Sequence, residues 1–301
     1  MAIAAGEAFA AAKVNLFLHV GPPGADGYHP ICSLMAFADV GDRLEVAEAD
    51  ALACRVRGAF AGQLAGEGDN LVLRAARALA AEARTPLPPV GLTLDKRLPV
   101  AAGLGGGSSD AGAALRLLRG AWGLSLTDPQ LAAVAAELGA DGAACFWGRP
   151  VLAEGRGERL SPAPGLPLID AVLVNPRVPV STADVYRRFD AGGGFGDITP
   201  PDLPEIFESV EELAGWLRST RNDLEAPAIA AAPQVGDVLA TLADEPEALI
   251  ARMSGSGATC FALCAGDVEA EGLTERIEAM RPGWWVRRCR LGGPWDLGET
   301  R

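Results

Sequence analysis

Four glycines and two serines fall within seven residues, Gly103-Leu-Gly-Gly-Gly-Ser-Ser109, and this run holds the most concentrated chemistry in the 301-residue sequence. Glycine lacks the Cβ that keeps other backbones away from a ligand, so Gly103, Gly105, Gly106 and Gly107 can bring N–H groups against one. Downstream, Ala111, Ala114, Leu115, Leu118 and Trp122 recur at spacings of three and four, Arg116 and Arg119 lie elsewhere on the wheel, and Gly123 is a natural stop. The run therefore opens a helix, with Ser109 or Asp110 able to cap it. A helix start offers unpaired N–H donors and the positive end of the dipole, which favours a phosphate. Two familiar phosphate loops do not fit. G-x-x-x-x-G-K-[ST] needs a lysine after the glycines, and G-x-G-x-x-G breaks at Ser108 with no acid-ended strand about twenty residues on. A flexible turn in a chain of 37 glycines is the plainer alternative.

Few other residues are equipped to support such a site. The chain has two lysines, Lys13 and Lys96, and two histidines, His19 and His29. Period two over Ala12–Val20 predicts a strand with Val14, Leu16, Leu18 and Val20 on one face and Lys13, Asn15, Phe17 and His19 on the other. Lys13 and Asn15 then project together, into a site or from the solvated face of an edge strand. Lys96-Arg97 places positive charge just before the glycine run. Gly21–Gly27 is a turn-rich loop that delivers Tyr28-His29. That pair can stack on a base and hydrogen-bond its edge, or simply pack on its own loop. Asn70 and Asp141 both read most simply as helix caps.

Composition narrows the class. A formal net charge of −13 argues against a sequence-independent nucleic-acid surface, which needs clustered Lys and Arg. The six cysteines contain no C-x-x-C pair and read as small buried residues of a reducing compartment, with no zinc site or disulfide framework. No apolar run reaches the roughly 18 residues that span a bilayer. No basic residue precedes Lys13, which argues against a secretory signal. A cytoplasmic location follows as the expectation.

The elements that must hold these residues are legible in part. Residues 31–65 alternate between strand-like runs and turns, including Leu44–Val46 and Cys54–Val56. A helix starts at Asp69-Asn70, and Val90, Leu92 and Leu94 alternate as a strand. Thr127-Asp-Pro-Gln130 is a capping box with Pro in the first turn of a helix that Gly139 ends. The passage from Gly155 to Pro167 is a soft boundary. Leu168–Val174 reads as a strand, Ser181 opens a helix that includes Tyr186, and Gly192–Pro204 reads as an exposed loop. Ser254-Gly-Ser-Gly257 is a glycine turn entering a strand. A helix over 267–280 and a strand over 284–291 close the chain, with Trp284-Trp285 in the core.

The run P-x-x-x-G-L-G-G-G-S-S-D-A resembles the nucleotide loop of the GHMP kinases, the superfamily of galactokinase, homoserine kinase, mevalonate kinase and phosphomevalonate kinase. A-K-V-N-L-F-L at Ala12, A-D-G-Y-H at Ala25, D-N-L at Asp69 and G-A-D at Gly139 are similar to motifs of its diphosphocytidyl kinase branch, and Arg252–Phe261 resembles the third superfamily motif. This resemblance covers nearly the whole chain. It implies an α+β fold in two domains: residues 1–155, nucleotide-binding and like domain 2 of ribosomal protein S5, and residues 156–301, ferredoxin-like. It implies transfer of the γ-phosphoryl of ATP, with Mg²⁺, to the 2-hydroxyl of a cytidine diphosphate-linked alcohol in the non-mevalonate isoprenoid route. By the same resemblance Asp141 is the catalytic base and Lys13 its partner. Asn70, Lys96, Gly103, Leu104, Gly105, Gly106, Gly107, Ser108 and Ser109 meet the nucleotide, and Asn15, Tyr28, His29 and Tyr186 meet the alcohol substrate. The sequence departs from many relatives at Gly142-Ala143, where a branched residue and Pro are common, and this bears on the backbone beside Asp141. The alternatives are another alcohol kinase of the superfamily, disfavoured by A-D-G-Y-H, and a non-catalytic nucleotide-binding module, disfavoured by the presence of both Lys13 and Asp141.

Overall fold

In the computed structural model, which describes residues 5–64, 69–200 and 202–296, the apolar runs after residue 30 join into one 17-residue strand, β3 (Ile31–Ala47). Sequence reading breaks this stretch with turns because Asp39, Gly41 and Asp42 are turn formers. Each is satisfied inside the sheet. Asp39 accepts from the Arg290 N–H at 2.8 Å, and Asp42 accepts from the Arg97 and Leu98 N–H groups at 2.5 and 2.9 Å. Gly41 makes room for the Ala10 carbonyl, which would lie 2.2 Å from an added Cβ.

The sheet is built on β3. It pairs antiparallel with β1 (Gly6–Asn15), β2 (His19–Val20), β5 (Gly91–Asp95), β6 (Val151–Gly155) and β11 (Trp285–Gly292). β4 (Ala53–Arg57) lies parallel outside β5, and β7 (Arg159–Pro162) pairs with β6. Beyond β11 come β8 (Ile169–Asn175), β10 (Cys260–Cys264) and β9 (Ile250–Met253). The glycine- and proline-rich passage after Gly155 thus contains a paired strand, and the division at 155/156 falls in the β6–β7 hairpin turn.

Nine helices cover the sheet among the described residues. α1 (Leu71–Glu82), α2 (Gly106–Ala121), α3 (Asp128–Leu138) and α4 (Gly142–Trp147) share a core with β5 through Leu79, Leu92, Leu115, Leu131 and Phe146. α5 (Thr182–Gly192), α7 (Glu225–Ala231), α8 (Gln234–Ala243) and α9 (Asp267–Met280) pack on β8 and β10 through Val185, Ala228, Val238, Ile277 and Val172. α6 (Val210–Leu217) places Leu213 and Leu217 in a third core with Phe17 and Phe261. The expected caps form: Asn70 accepts from the Leu73 N–H at 3.1 Å, and Thr127 and Gln130 close the capping box of α3. Trp285 is buried and Trp284 half-buried, the six cysteines form no disulfide, and no helix among the described residues is long and apolar enough to cross a membrane.

Three local expectations change. The strand expected over residues 12–20 begins earlier, at Gly6, and breaks between Asn15 and His19, where Leu18 bridges to Asn222. Both its faces are buried, so Lys13 and Asn15 are not on a solvated edge. The cap of α2 is Gly105, not Ser109 or Asp110, which are the fourth and fifth residues of the helix and cannot cap it. Arg116 turns inward on α2, and its guanidinium donates to the carbonyls of Phe9 and Phe146.

Candidate active site

A cleft of about 960 Å³ opens over the start of α2. Lys13, Asn15, Tyr28, His29, Asn70, Lys96, Gly103, Gly105, Gly106, Gly107, Ser108, Asp141 and Tyr186 all line it, although they span 174 positions of chain (186 − 13 + 1). Leu104 and Ser109 are the two expected residues that turn away. Leu104 is buried in the sheet core and meets the site only through its carbonyl, which accepts from the Lys13 N–H at 2.8 Å. Ser109 is buried, its hydroxyl against the Cys145 thiol.

Lys13 is delivered by β1 at the point where its register with β3 shifts, between Ala11 and Lys13. Such irregularities re-aim a side chain out of the regular ladder. The ammonium donates to Asn15 Oδ1 at 2.6 Å and lies 3.1 Å from Asp141 Oδ2. Asn15 is held in turn, its amide donating to Ser33 Oγ at 2.7 Å. Asp141 occupies the position before α4 but makes no capping bond. Its carboxylate is spent on Lys13, so the capping alternative fails. At Gly142 an added Cβ would lie 1.8 Å from the Ala135 carbonyl, so this glycine lets α4 start hard against α3 and fixes the approach of Asp141.

The glycine loop is braced from the far half of the chain. Ser254 Oγ accepts from the Asn15 N–H at 3.1 Å and donates to the Gly103 carbonyl at 2.9 Å, while the Thr259 N–H donates to the Ala102 carbonyl at 3.1 Å. Gly103 has φ +76°, and a Cβ there would meet the Ser254 carbonyl at 2.2 Å. Gly103→Ala is therefore expected to cost about 2 kcal/mol or more through left-handed strain and backbone overlap. A fall in Tm of roughly 4 °C or more in a thermal shift measurement checks this.

Asn70 keeps both readings, since it caps α1 and lines the cleft. Lys96 is buried and donates to Asp42 Oδ2 at 2.5 Å and Asp110 Oδ2 at 2.8 Å. Burial works against its ammonium, but the two carboxylates outweigh it and hold its pKa above the lysine range. Burial, opposed by Lys96 and reinforced by Asp42, lifts the Asp110 carboxyl to about 7.

At the other end of the cleft Tyr28 is exposed, with the Arg156 guanidinium 4.6 Å from its ring centroid. The His29 ring lies 5.0 Å from that of Tyr186, and its nitrogens face the Gly21 carbonyl at 2.8 Å and Asp190 Oδ1 at 3.2 Å. Burial, then Asp141, pushes the Tyr186 phenol up to about 12, so Tyr186 links this end to the Lys13–Asp141 pair. Arg156, Arg187, Asp190 and Ser256 also line the cleft and escape sequence reasoning. Arg156 sits in the passage read as a boundary, and the others come from elements whose packing onto the N-terminal half the local sequence does not signal.

Residues 70–149 match the GHMP kinases N terminal domain and residues 201–282 match the GHMP kinases C terminal model. The chain is 64% identical over 96% of its length to a 4-diphosphocytidyl-2-C-methyl-D-erythritol kinase of Caulobacter sp. (strain K31), covering 99% of that protein. It is 50% identical over 94% of its length to the kinase of the same name from Hyphomonas neptunium (strain ATCC 15444), covering 96% of it. A crystal structure of a 4-(cytidine 5'-diphospho)-2C-methyl-D-erythritol kinase superposes with a TM-score of 0.76 at 34% identity, over 96% of this chain and all of the other.

Proposed function

The chain belongs to the 4-diphosphocytidyl-2-C-methyl-D-erythritol kinases of the GHMP kinase family, and we propose that it transfers the γ-phosphoryl of ATP to the 2-hydroxyl of 4-diphosphocytidyl-2-C-methyl-D-erythritol. It is a small-molecule kinase of the isoprenoid route. The observation that carries the chemistry is the Lys13–Asp141 pair, 3.1 Å apart, on the same cleft as the glycine loop and the Tyr28-His29 loop.

Phosphoryl transfer needs positioning and charge stabilisation more than covalent help. The N–H groups of Gly105, Gly106, Gly107 and Ser108, at the positive end of α2, would hold the β- and γ-phosphates. Asp141 would accept the proton of the attacking hydroxyl, and Lys13 would orient that carboxylate and stabilise charge on the group in transit. Asn15 fixes Lys13, while Tyr28, His29 and Tyr186 would hold the cytidine end. Asn70 would lie beside the adenine. Mg²⁺, held with the nucleotide, would neutralise the charge of its phosphates. The Ser108 hydroxyl, on the cleft at the start of α2, is the kind of oxygen ligand such an ion would take. The family matches on either side of residue 155 support a two-part chain, 1–155 as the N-terminal ATP-binding domain and 156–301 as the C-terminal kinase domain. In that division the first part takes the fold of ribosomal protein S5 domain 2 and the second a ferredoxin-like one. Six cysteines with no disulfide among them support a reducing, cytoplasmic setting.

A phosphate-transfer assay with Mg-ATP and a panel of alcohols tests this reading. The cytidine-bearing alcohol is expected to be phosphorylated, and mevalonate, homoserine and galactose are not. Good turnover of one of those three, with none of the cytidine-bearing alcohol, would make the chain another kinase of the superfamily.

A further inference from the structure

Lys96 stands just ahead of the glycine loop, where an ammonium would be expected to reach a phosphate. Its charge is already taken up. Nζ donates to Asp42 on β3 and to Asp110, the fifth residue of α2, at 2.5 and 2.8 Å, and all three side chains are at least nine-tenths buried. The other oxygen of Asp42 accepts from the backbone of Arg97 and Leu98, at 2.5 and 2.9 Å. These bonds fall on the chain entering the loop and on the helix leaving it, so one buried cluster ties both ends of residues 99–109 to the central strand. Gly106 lets the loop close over the cluster, since an added Cβ would sit 3.0 Å from Nζ. One ammonium against two carboxylates leaves no surplus positive charge to offer a triphosphate.

We propose that Asp42, Lys96 and Asp110 form a staple that positions the nucleotide loop by its two ends, and that Lys96 serves ATP binding through this staple instead of by contact with a phosphate. The inference rests on the kinase reading of the loop. It makes the three residues positioning residues, and it predicts the opposite response to loss of Asp110 from that of a phosphate-binding lysine. If Lys96 reached the phosphates, removing a neighbouring carboxylate would free its charge and tighten ATP. If Lys96 is a staple, the same change loosens the loop and weakens ATP.

The test is titration calorimetry with a non-hydrolysable ATP analogue, together with KM for ATP and for the cytidine-bearing alcohol. Asp110→Ala is expected to weaken the analogue about tenfold or more, on the scale of a lost charged hydrogen bond. The KM of the alcohol should stay within about twofold. Lys96→Met should weaken ATP similarly, and the double variant should be little worse than either, because both break one staple. Asp110→Asn, whose amide oxygen can still accept from Lys96, should recover most of the affinity. Unchanged or tighter analogue binding by Asp110→Ala overturns the staple. So does an Asp110→Asn variant as weak as Asp110→Ala. Should Lys96→Met fail to fold, the Ala and Asn variants at 110 decide alone. Calorimetry needs no turnover, so failure of the parent chain to phosphorylate the alcohol would sink the functional reading and leave the staple standing.

Discussion

Asp141→Asn is expected to turn over the cytidine-bearing alcohol about 10²–10⁴-fold more slowly than the parent, the usual cost of removing a general base. ATP affinity should hardly change. Asp141 lies at the start of α4, across the cleft floor from the loop amides, and its charged partner is Lys13 at 3.1 Å. The amide is close in size and cannot take the proton. Asn also caps a helix as well as Asp does, so a fall in kcat in this variant cannot be laid to a lost cap. Lys13→Met should also depress kcat. It removes an ammonium from a buried network that includes Asn15 and Ser33, so some stability is lost with it. The double variant should lose less than the product of the two, since the pair acts as a unit. Steady-state kinetics with both substrates checks this. Normal turnover by Asp141→Asn would remove it from the base role.

How far the sequence reveals this site depends on the range over which each residue is satisfied. The capping box at Thr127 and the cap at Asn70 are solved within a few residues of themselves, so their local pattern declares them, and the glycine run declares itself by composition although Ser254 and Thr259 brace it from far away. β3 is hidden because its turn formers find partners far away: Asp42 in Lys96, 54 residues on, and Asp39 in Arg290, 251 residues on. No local rule distinguishes a turn aspartate from one whose lysine arrives later. Lys96 shows the same dependence on distance, since the carboxylates that take up its charge lie 54 and 14 residues away in the chain. Asp141 is the reverse case, a residue that looks like a cap by position and is relieved of that role by Lys13, 128 positions earlier (141 − 13). Asp190 and Arg156, which support His29 and Tyr28, belong to neither motif and are found only by folding the chain.

Tyr28→Ala should raise the KM for the cytidine-bearing alcohol by about 5- to 150-fold, the value of one base stacked on an aromatic face, roughly 1–3 kcal/mol. Affinity for ATP should stay nearly constant. Tyr28 is 60% exposed on the cleft, so its ring is accessible to a base. Arg156, near its ring, contributes a contact that the phenyl of Tyr28→Phe retains, so that variant should be mild. Under the proposed function the edge of the base would be read by His29, and the geometry restricts how. Both ring nitrogens of His29 are already engaged, one by the Gly21 carbonyl and one by Asp190. Reading the base therefore falls to the backbone N–H and carbonyl of the same residue. An N–H suits N3 of cytosine and a carbonyl suits its exocyclic amine. Uracil inverts both, offering a donor at N3 and an acceptor at C4. CDP should therefore compete with the alcohol, and UDP should compete about tenfold more weakly or worse, since each mismatch leaves a polar group unpaired. Competition kinetics with the two nucleotides, run on the parent and on Tyr28→Ala, separate the two contributions. Tyr28→Ala should weaken CDP and UDP by the same factor, because stacking is blind to the edge, and the CDP-to-UDP ratio should survive. Equal competition by CDP and UDP in the parent would show that the edge is not read, and an unchanged KM in Tyr28→Ala would show that the base does not lie on this ring.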